Sequence, residues 1–469
     1  MTSTFGTLNT AYTGLVAARQ GLAVVGDNIT NATTDGYSRQ EVNTSSVTPA
    51  VEGAFAPTIQ VGGGVSVNSV TRVDNPLLDA QVRTSSAADG YATEQSTAMN
   101  SIESALNEPG TNGLSTSLQA FWSAWQSDST QSNTAASATL VISTGNQVLS
   151  QLASGYNAAA TQWATTRASM NQTVATVNST ASQIAVLNGQ IQQGVAAGNN
   201  VNGLMDQENQ LATTISNLSG ATVRTNSDGT MDVLLGGNSI VSGTTVHGLS
   251  VTGATSLDGE ASSPVSVVFT NSPTATTGIT SGVLGADLAL LGPSGAISQA
   301  ASTYNSIATT LASTVNAIHE TGATASGTTG LDFFATDSTK PAALGLSIIP
   351  TDASGIAAST PGAGSANGDI ADQIANLTTS TTGADSAWAN FVVSVGTATS
   401  SATTYASTTT TASATAVSNQ QSESSVDTDQ ETTNMLTYQH SFDSAARVMT
   451  TIDSMLDTLI NKTGLVGIA

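Results

Sequence analysis

Hydrophobic residues seven apart mark both ends of this 469-residue chain. Leu8, Leu15, Leu22 and Ile29 form one row near the start, and Ala11, Ala18 and Val25 fill positions three residues later. Near the other end, Met435, Phe442, Met449 and Leu456 form a second row, flanked by Tyr438, Ala445, Ile452 and Leu459. A heptad of this kind predicts a helix with one narrow apolar stripe. Such a helix is marginal alone in water and must bury its stripe against a partner. The two ends can pair with each other, or also pack against other copies of the chain.

The same period recurs in the middle. Ile142, Leu149, Tyr156, Trp163, Met170, Val177, Ile184 and Ile191 stand in one register, which predicts a helical rod of about 75 Å. Gly145 and Gly155 are candidate bends or breaks in it. Shorter helical patterns surround Met99–Leu106, Leu114–Trp125 and Ile297–Ile318, and another starts at Trp388 and runs into the Thr-rich tract Thr408–Thr411. Between 221 and 284 the pattern becomes strand-like, in runs at Ala221–Arg224, Met231–Leu235, Ser239–Val241, Val246–Val251 and Val265–Phe269, split by turns such as Ser227-Asp228-Gly229. Further β-like stretches lie at Glu41–Val73 and Leu344–Ile349. The fold class expected is mainly α with an inserted β domain (α+β): terminal helices in a coiled coil, a long helical-bundle domain and an outer antiparallel β domain. The domains expected are 1–36 with 430–469, the terminal helices; 37–220 with 285–330 and 366–429, mainly helical; and 221–284, the outer β domain, with 331–365 as a candidate addition.

Composition removes several function classes. Only 9% of residues are charged, and nine cations against 32 acids give a net charge of −23. No basic patch exists for a phosphate backbone, so no nucleic acid is expected as partner. The absence of Cys excludes disulfides and thiolate chemistry. No apolar run approaches ~18 residues, so no membrane span is expected. The start, MTSTFGTLNTAYTGL, lacks the basic and apolar regions of a secretory signal.

A search for catalytic constellations ends without one. Gly62-Gly63-Gly64 lies between strand-like runs and is not followed by a helix, so hairpin glycines are expected there rather than a phosphate loop. His319 is expected at a helix C-terminus, His440 beside the C-terminal stripe, and His247 in a strand without a partner. Asp427 and Asp429 precede a helix, where capping is their ordinary role. Trp122 and Trp125 are expected in the core. No cofactor, metal or enzymatic activity is expected.

The segment Gly14-Leu15-Val16-Ala17-Ala18-Arg19-Gln20-Gly21-Leu22, followed by Asn28-Ile29-Thr30-Asn31-Ala32-Thr33-Thr34-Asp35-Gly36-Tyr37-Ser38-Arg39-Gln40, resembles the N-terminal signature of the bacterial flagellar axial proteins. Its ending at Gly36–Gln40 is similar to the hook-associated family at the hook–filament junction. The run through Asn434-Met435-Leu436, Tyr438-Gln439, Ala445-Ala446-Arg447-Val448 and Leu456–Asn461 resembles the matching C-terminal signature. Asn202–Leu211 resembles an internal stretch of that family, with Glu208 where an Arg is usual.

The resemblance implies a structural role: a homo-oligomeric ring or tube between hook and filament, contacting the hook protein on one side and hook-associated protein 3 on the other. It implies type III export, an export chaperone on the C-terminal helix, and a secreted, extracellular location on the flagellum. It implies an assembly interface containing Leu8, Leu15, Leu22, Ile29, Asn28, Asn31, Gly36, Tyr37 and Arg39 at one end. Met435, Phe442, Met449, Ile452, Leu456 and Leu459 complete it at the other. Gly36 would let the chain turn out of the terminal helix. Arg39 suits a carboxylate in another subunit or domain, and equally an ordinary surface position. The alternatives are a hook or distal rod subunit, whose middle is predominantly β, and a secreted adhesin or S-layer-like protein.

Overall fold

The structure is a computed structural model that describes residues 4–48, 62–132 and 134–462. The expectations that fall on 1–3, 49–61 and 463–469 lie outside the described residues. Helix α1 spans Thr4–Thr30, and the strands β1 (Gln40–Ser46) and β2 (Val65–Arg72) pair antiparallel beyond it. Four helices follow: α2 (Pro76–Leu106), α3 (Leu114–Thr130), α4 (Ala135–Ala196) and α5 (Asn202–Ser219). Asn75 caps α2 by accepting from the Leu77 amide, and Pro76 occupies the first turn, where no amide hydrogen is needed.

Helix α4 is the spine. Its 62 residues run unbroken for about 93 Å. Gly145 and Gly155 do not break it. Each is a point of close approach: a Cβ at Gly145 would stand 2.7 Å from Ile348 Cδ1, and one at Gly155 would collide with the Tyr304 ring.

The insert forms two sheets. Strands β3 (Thr222–Thr225), β4 (Met231–Leu235), β5 (Asn238–Ser242) and β6 (Thr245–Val246) make a four-stranded antiparallel sheet. Strands β7 (Leu249–Thr252), β8 (Ser266–Phe269) and β9 (Ser272–Thr276) make a separate three-stranded one. The expected strand Val246–Val251 is therefore two strands. The chain breaks at His247-Gly248, where the His247 amide donates to Ile240 O, and β7 leaves for the second sheet.

Two asparagines of α4 hold both sheets to the spine. The Asn178 side chain donates to Leu249 O (2.9 Å) and accepts from its amide (2.8 Å). The fully buried Asn188 donates to Met231 O and Gly243 O, both 2.8 Å, and accepts from the Met231 amide.

Helices α6 (Gly282–Leu291) and α7 (Ala296–His319) return to the bundle. Strand β10 (Phe334–Thr336), the single-turn α8 (Ala342–Gly345) and β11 (Leu346–Ile348) follow; β10 and β11 pair only with each other, in a sheet of their own. They pack on α7 and α4. Phe333 and Phe334 there complete an aromatic cluster with Phe121, Trp122 and Trp125 of α3. After α9 (Asp369–Ala375), α10 runs over Ala384–Ser424 and α11 over Thr428–Asp457.

The Thr-rich tract is helical. Thr408 and Thr411 return their hydroxyls to Thr404 O and Ser407 O, Thr410 donates to Asp89 of α2, and Ala402, Thr409 and Ala416 are buried. Packing along α2 overrides the low helix propensity of threonine.

Candidate assembly interface

The ends of the chain meet. Helix α11 runs antiparallel to α1: Gly14 faces Ala445, Gly21 faces Tyr438 and Asn28 faces Glu431, so each heptad forward along α1 is a heptad backward along α11. The buried residues of α1 are Ala11, Ala17, Ala18, Val24 and Val25, with Gly21 and Asn28. Leu8, Leu15, Leu22 and Ile29 are half-buried beside this seam rather than at its centre. The reason is steric. A Cβ on Gly21 would overlap the Tyr438 ring, so small residues occupy the line of contact and the helices approach closely.

On α11, Met435, Tyr438, Phe442, Ala445, Met449 and Leu456 are half-buried and Ile452 is buried, while Leu459 is 55% exposed. Asp427 caps the helix by accepting from the Asp429 and Gln430 amides.

Where the seam ends, Asn28 ties four segments together. Its amide donates to Gln40 O (2.9 Å) and to Glu431 Oε2 (3.2 Å), and its Oδ1 accepts from the Tyr37 hydroxyl (2.8 Å) and the Gln40 amide (2.9 Å). Both donors and both lone pairs are used, in a side chain that is 1% exposed. Tyr37 is pushed up to about 12, by burial first and then by Asp27 and Asp206. Gly36 has φ +79, a left-handed turn that turns the chain from α1 into this knot. Asn31 closes the same turn, donating to Asp27 O and accepting from Thr34 Oγ1. Arg39 pairs with Glu41 of its own strand at 2.8 Å, and its amide donates to Ser424 O at the end of α10.

A second joint fixes the hairpin to the bundle. Asp206 of α5 accepts from the Ser38 amide (3.2 Å) and faces Arg72 Nε (3.4 Å), while Asn202 donates to Gln40 Oε1 and Val70 O. Burial raises Asp206 in spite of Arg72, and raises the neighbouring Glu208 to about 7. A cleft of about 570 Å³ opens beside this joint, lined by Thr34, Asp35, Asp206, Gln210 and Gln420 among others.

The outer faces of α1 and α11 carry large apolar side chains. Phe5 is 69% exposed and Tyr12 55%, and Leu436 and Met455 are both 51%. Elsewhere the chemistry is structural. His319 ends α7 fully buried; its Nδ1 lies 2.6 Å from Leu331 O and its Nε2 accepts from the Ala357 amide (2.9 Å). Burial lowers its pKa, and the contacts fit a neutral ring protonated on Nδ1. His440 is exposed on α11. Trp122 donates to Asp385 at 2.7 Å within the core. Among the described residues no group of three or more acidic, His or Cys side chains is placed to hold a metal, and no helix is long and apolar enough to cross a membrane.

Sequence reasoning singled out Asn28 through the family signature but none of its partners, and it missed the sutures at Asn178 and Asn188. An asparagine reads as surface or cap, and nothing in its local sequence marks burial.

Comparison with known proteins agrees with this architecture. A family model described as the flagellar hook-associated protein FlgK helical domain matches residues 99–334, and one described as the flagellar basal body rod FlgEFG protein C-terminal matches 418–462. The chain is 31% identical to flagellar hook-associated protein 1 of Bacillus subtilis, over the full length of both. It is 27% identical to flagellar hook-associated protein 1 of Escherichia coli, over 72% of this chain and 61% of that one. The solved structure of the flagellar hook junction protein FlgK from Burkholderia pseudomallei superposes with a TM-score of 0.63 at 16% identity, covering 73% of this chain and all of that one; this is a likeness of fold.

Proposed function

Because the chain belongs to the flagellar hook-associated protein 1 family, and so is a structural component of the bacterial flagellum at the hook–filament junction, we propose that its copies assemble there into a ring or tube through α1 and α11. The observation that carries this is the two-helix pair itself. It buries a seam of small residues and leaves Phe5, Tyr12, Leu436, Met455 and Leu459 outside, between 51% and 69% exposed. A pair of helices with apolar residues on both inner and outer faces finds its remaining burial in neighbouring copies.

In this reading Leu8, Leu15, Leu22, Ile29, Met435, Phe442, Met449, Ile452, Leu456 and Leu459 contribute to the helical tube. Asn28, Asn31, Gly36, Tyr37 and Arg39 fix its angle to the bundle. The hook protein contacts one end of the ring and hook-associated protein 3 the other. The chain is exported through the flagellar type III apparatus with its C-terminal helix held by a chaperone, and works outside the cell. The unit 1–36 with 430–469 forms the inner tube. The unit 37–220 with 285–330 and 366–429 forms the helical body, and 221–284 faces outward.

Deletion of the encoding gene, followed by electron microscopy, tests the role. The expected result is hooks without filaments and filament protein released into the medium. Normal filaments on the deletion strain would overturn it. Removal of residues 1–35 or 430–469 from the chain should abolish its retention on hooks while the bundle stays folded.

A further inference from the structure

The joint between the β1–β2 hairpin and α5 holds more buried acid than its one cation can balance. The Arg72 side chain of β2 is 8% exposed; its guanidinium donates to Asp74 (2.8 Å) and faces Asp206 Oδ1 (3.4 Å). Glu208, two residues further along α5, is 2% exposed, and Arg72 is the charge that favours its ionised form. Three buried polar atoms of this cluster have no hydrogen-bond partner among the described residues: Arg72 Nε, Asp206 Oδ1 and Glu208 Oε1. An ionised Glu208 would set three carboxylates against one guanidinium, and a buried charge left unbalanced is costly.

The elements around Glu208 supply no second cation. β4 meets it at the Met231 amide, which already donates to Asn188 Oδ1, and the following Asp232 is held by Arg224 and the Gly243 amide. α2 meets α5 one residue on, at Asn209, which donates to Asp79 and accepts from Arg83. α6 touches the far end of α5 through Gly282, and its Asp287 stands against Glu94. The one charged residue of α4, Arg167, donates to Ala254 O in the insert. Tyr37 lies against Asp206 and donates its hydroxyl to Asn28.

We infer that a proton on Glu208 holds the hairpin on α5 and that loss of this proton opens the joint. The hairpin carries the terminal pair, since Gln40 is bound to Asn28 and the Val65 amide donates to Thr13 Oγ1. Protonation of one buried carboxyl thus stiffens the angle between the terminal helices and the bundle. The sign follows from burial, which raises Glu208 to about 7 against an ordinary value of about 4.3. Its contribution is whole below that ordinary value and is lost as the pH rises through about 7. The inference concerns the single chain and does not rest on the assembly reading.

Hydrogen exchange on the purified full chain tests it, with rates corrected for the intrinsic effect of pH. Peptides covering β1 and β2 are expected to open about tenfold more at pH 8.5 than at pH 6, and those from α6 and α7 to change less. E208Q should keep the hairpin protected at both pH values. Where the amide itself disturbs the site, Glu208→Leu should give the same pH-independent protection. Equal opening of the parent at both pH values would overturn the inference. So would a tenfold change that persists in E208Q, which would place the titrating group elsewhere, or one shared by α6 and α7, which would make the loosening global. A hairpin open at both pH values in E208Q and in Glu208→Leu would overturn it as well.

Discussion

Asn28 and Glu431 are 403 residues apart in sequence and joined by a hydrogen bond of 3.2 Å, which closes the chain's two ends onto each other. The same amide holds Tyr37 and Gln40, so one side chain links the terminal helices to the first strand. Asn28→Ala leaves the Gln40 backbone groups, the Tyr37 hydroxyl and Glu431 without this partner. The expected cost is about 3 kcal/mol in the stability of the terminal pair. Limited proteolysis should then release α1 and α11 earlier, while the bundle resists as before. Unchanged cleavage at both ends would contradict the role given to Asn28.

The close approach at Gly21 makes a second prediction. A Val there adds branched volume where the Tyr438 ring already lies. Gly21→Val is expected to destabilise the pair by about 1–3 kcal/mol, because overpacking forces the helices apart. Adding Tyr438→Ala should recover part of the loss. The measurement is a double-mutant cycle in denaturant; additive effects would show that the two residues do not share the space.

Much of this architecture can be read from the sequence, and the failures have physical causes. The heptads at both ends and along Ile142–Ile191 predict the terminal helices and the spine, because apolar periodicity reports directly on burial. The periodicity marks two rows on α1, the leucines with Ile29 and the row of Ala11, Ala18 and Val25, and does not say which of them lies at the centre of the intrachain seam; the helices meet along the second row and the glycines. The glycines of α4 carry a similar lesson: their meaning depends on Tyr304 and Ile348, more than 140 residues away. Asn188, Asn28 and Asp287 are buried polar groups whose surroundings come from distant segments, so no local pattern announces them. In the assembly region, Gly36 and the motif around it are legible, and the partners of Asn28 are not.

Asp287 predicts how stability responds to alkali. Its carboxyl is fully buried in α6, neither oxygen has a hydrogen-bond partner, and burial together with Glu94 of α2 raises it to about 8. The unfolded chain ionises this group near pH 4. Between roughly 4 and 8 the folded state therefore holds a proton that the unfolded state has lost, and stability falls by up to about 1.4 kcal/mol per pH unit. Asp287→Asn should flatten that slope, with Glu208 leaving a residual one up to about 7. Unfolding midpoints at pH 5, 7 and 9 measure it; an unchanged slope would place the proton elsewhere.

His319 acts in the opposite sense. Its pKa is lowered by burial, so the unfolded chain binds a proton below about 6.5 that the folded chain refuses. The stability it contributes is present above that pH and is lost as the pH falls. His319→Phe preserves the ring but leaves Leu331 O and the Ala357 amide unpaired, at an expected cost of about 2–4 kcal/mol at pH 7. The variant should also lose the acid-side decline due to this group. Thermal unfolding at pH 5.5 and 7.5 separates the two effects.

The half-buried leucines distinguish folding from assembly. Leu15 and Leu22 flank the intrachain seam instead of forming its centre, and the outer faces of α1 and α11 remain apolar. Leu15→Asp with Leu22→Asp is therefore expected to leave the bundle folded, lower the stability of the terminal pair modestly, and block filament growth. Two carboxylates would have to be buried without partners when neighbouring copies close around the helices. Tyr438→Ala is the contrasting variant: it removes the ring that fills the Gly21 contact, so its loss falls on the monomer. Proteolytic resistance of the purified chain reports the first quantity, and swimming with filament counts reports the second. Normal filaments on cells carrying the double aspartate variant would show that these leucines do not face another copy.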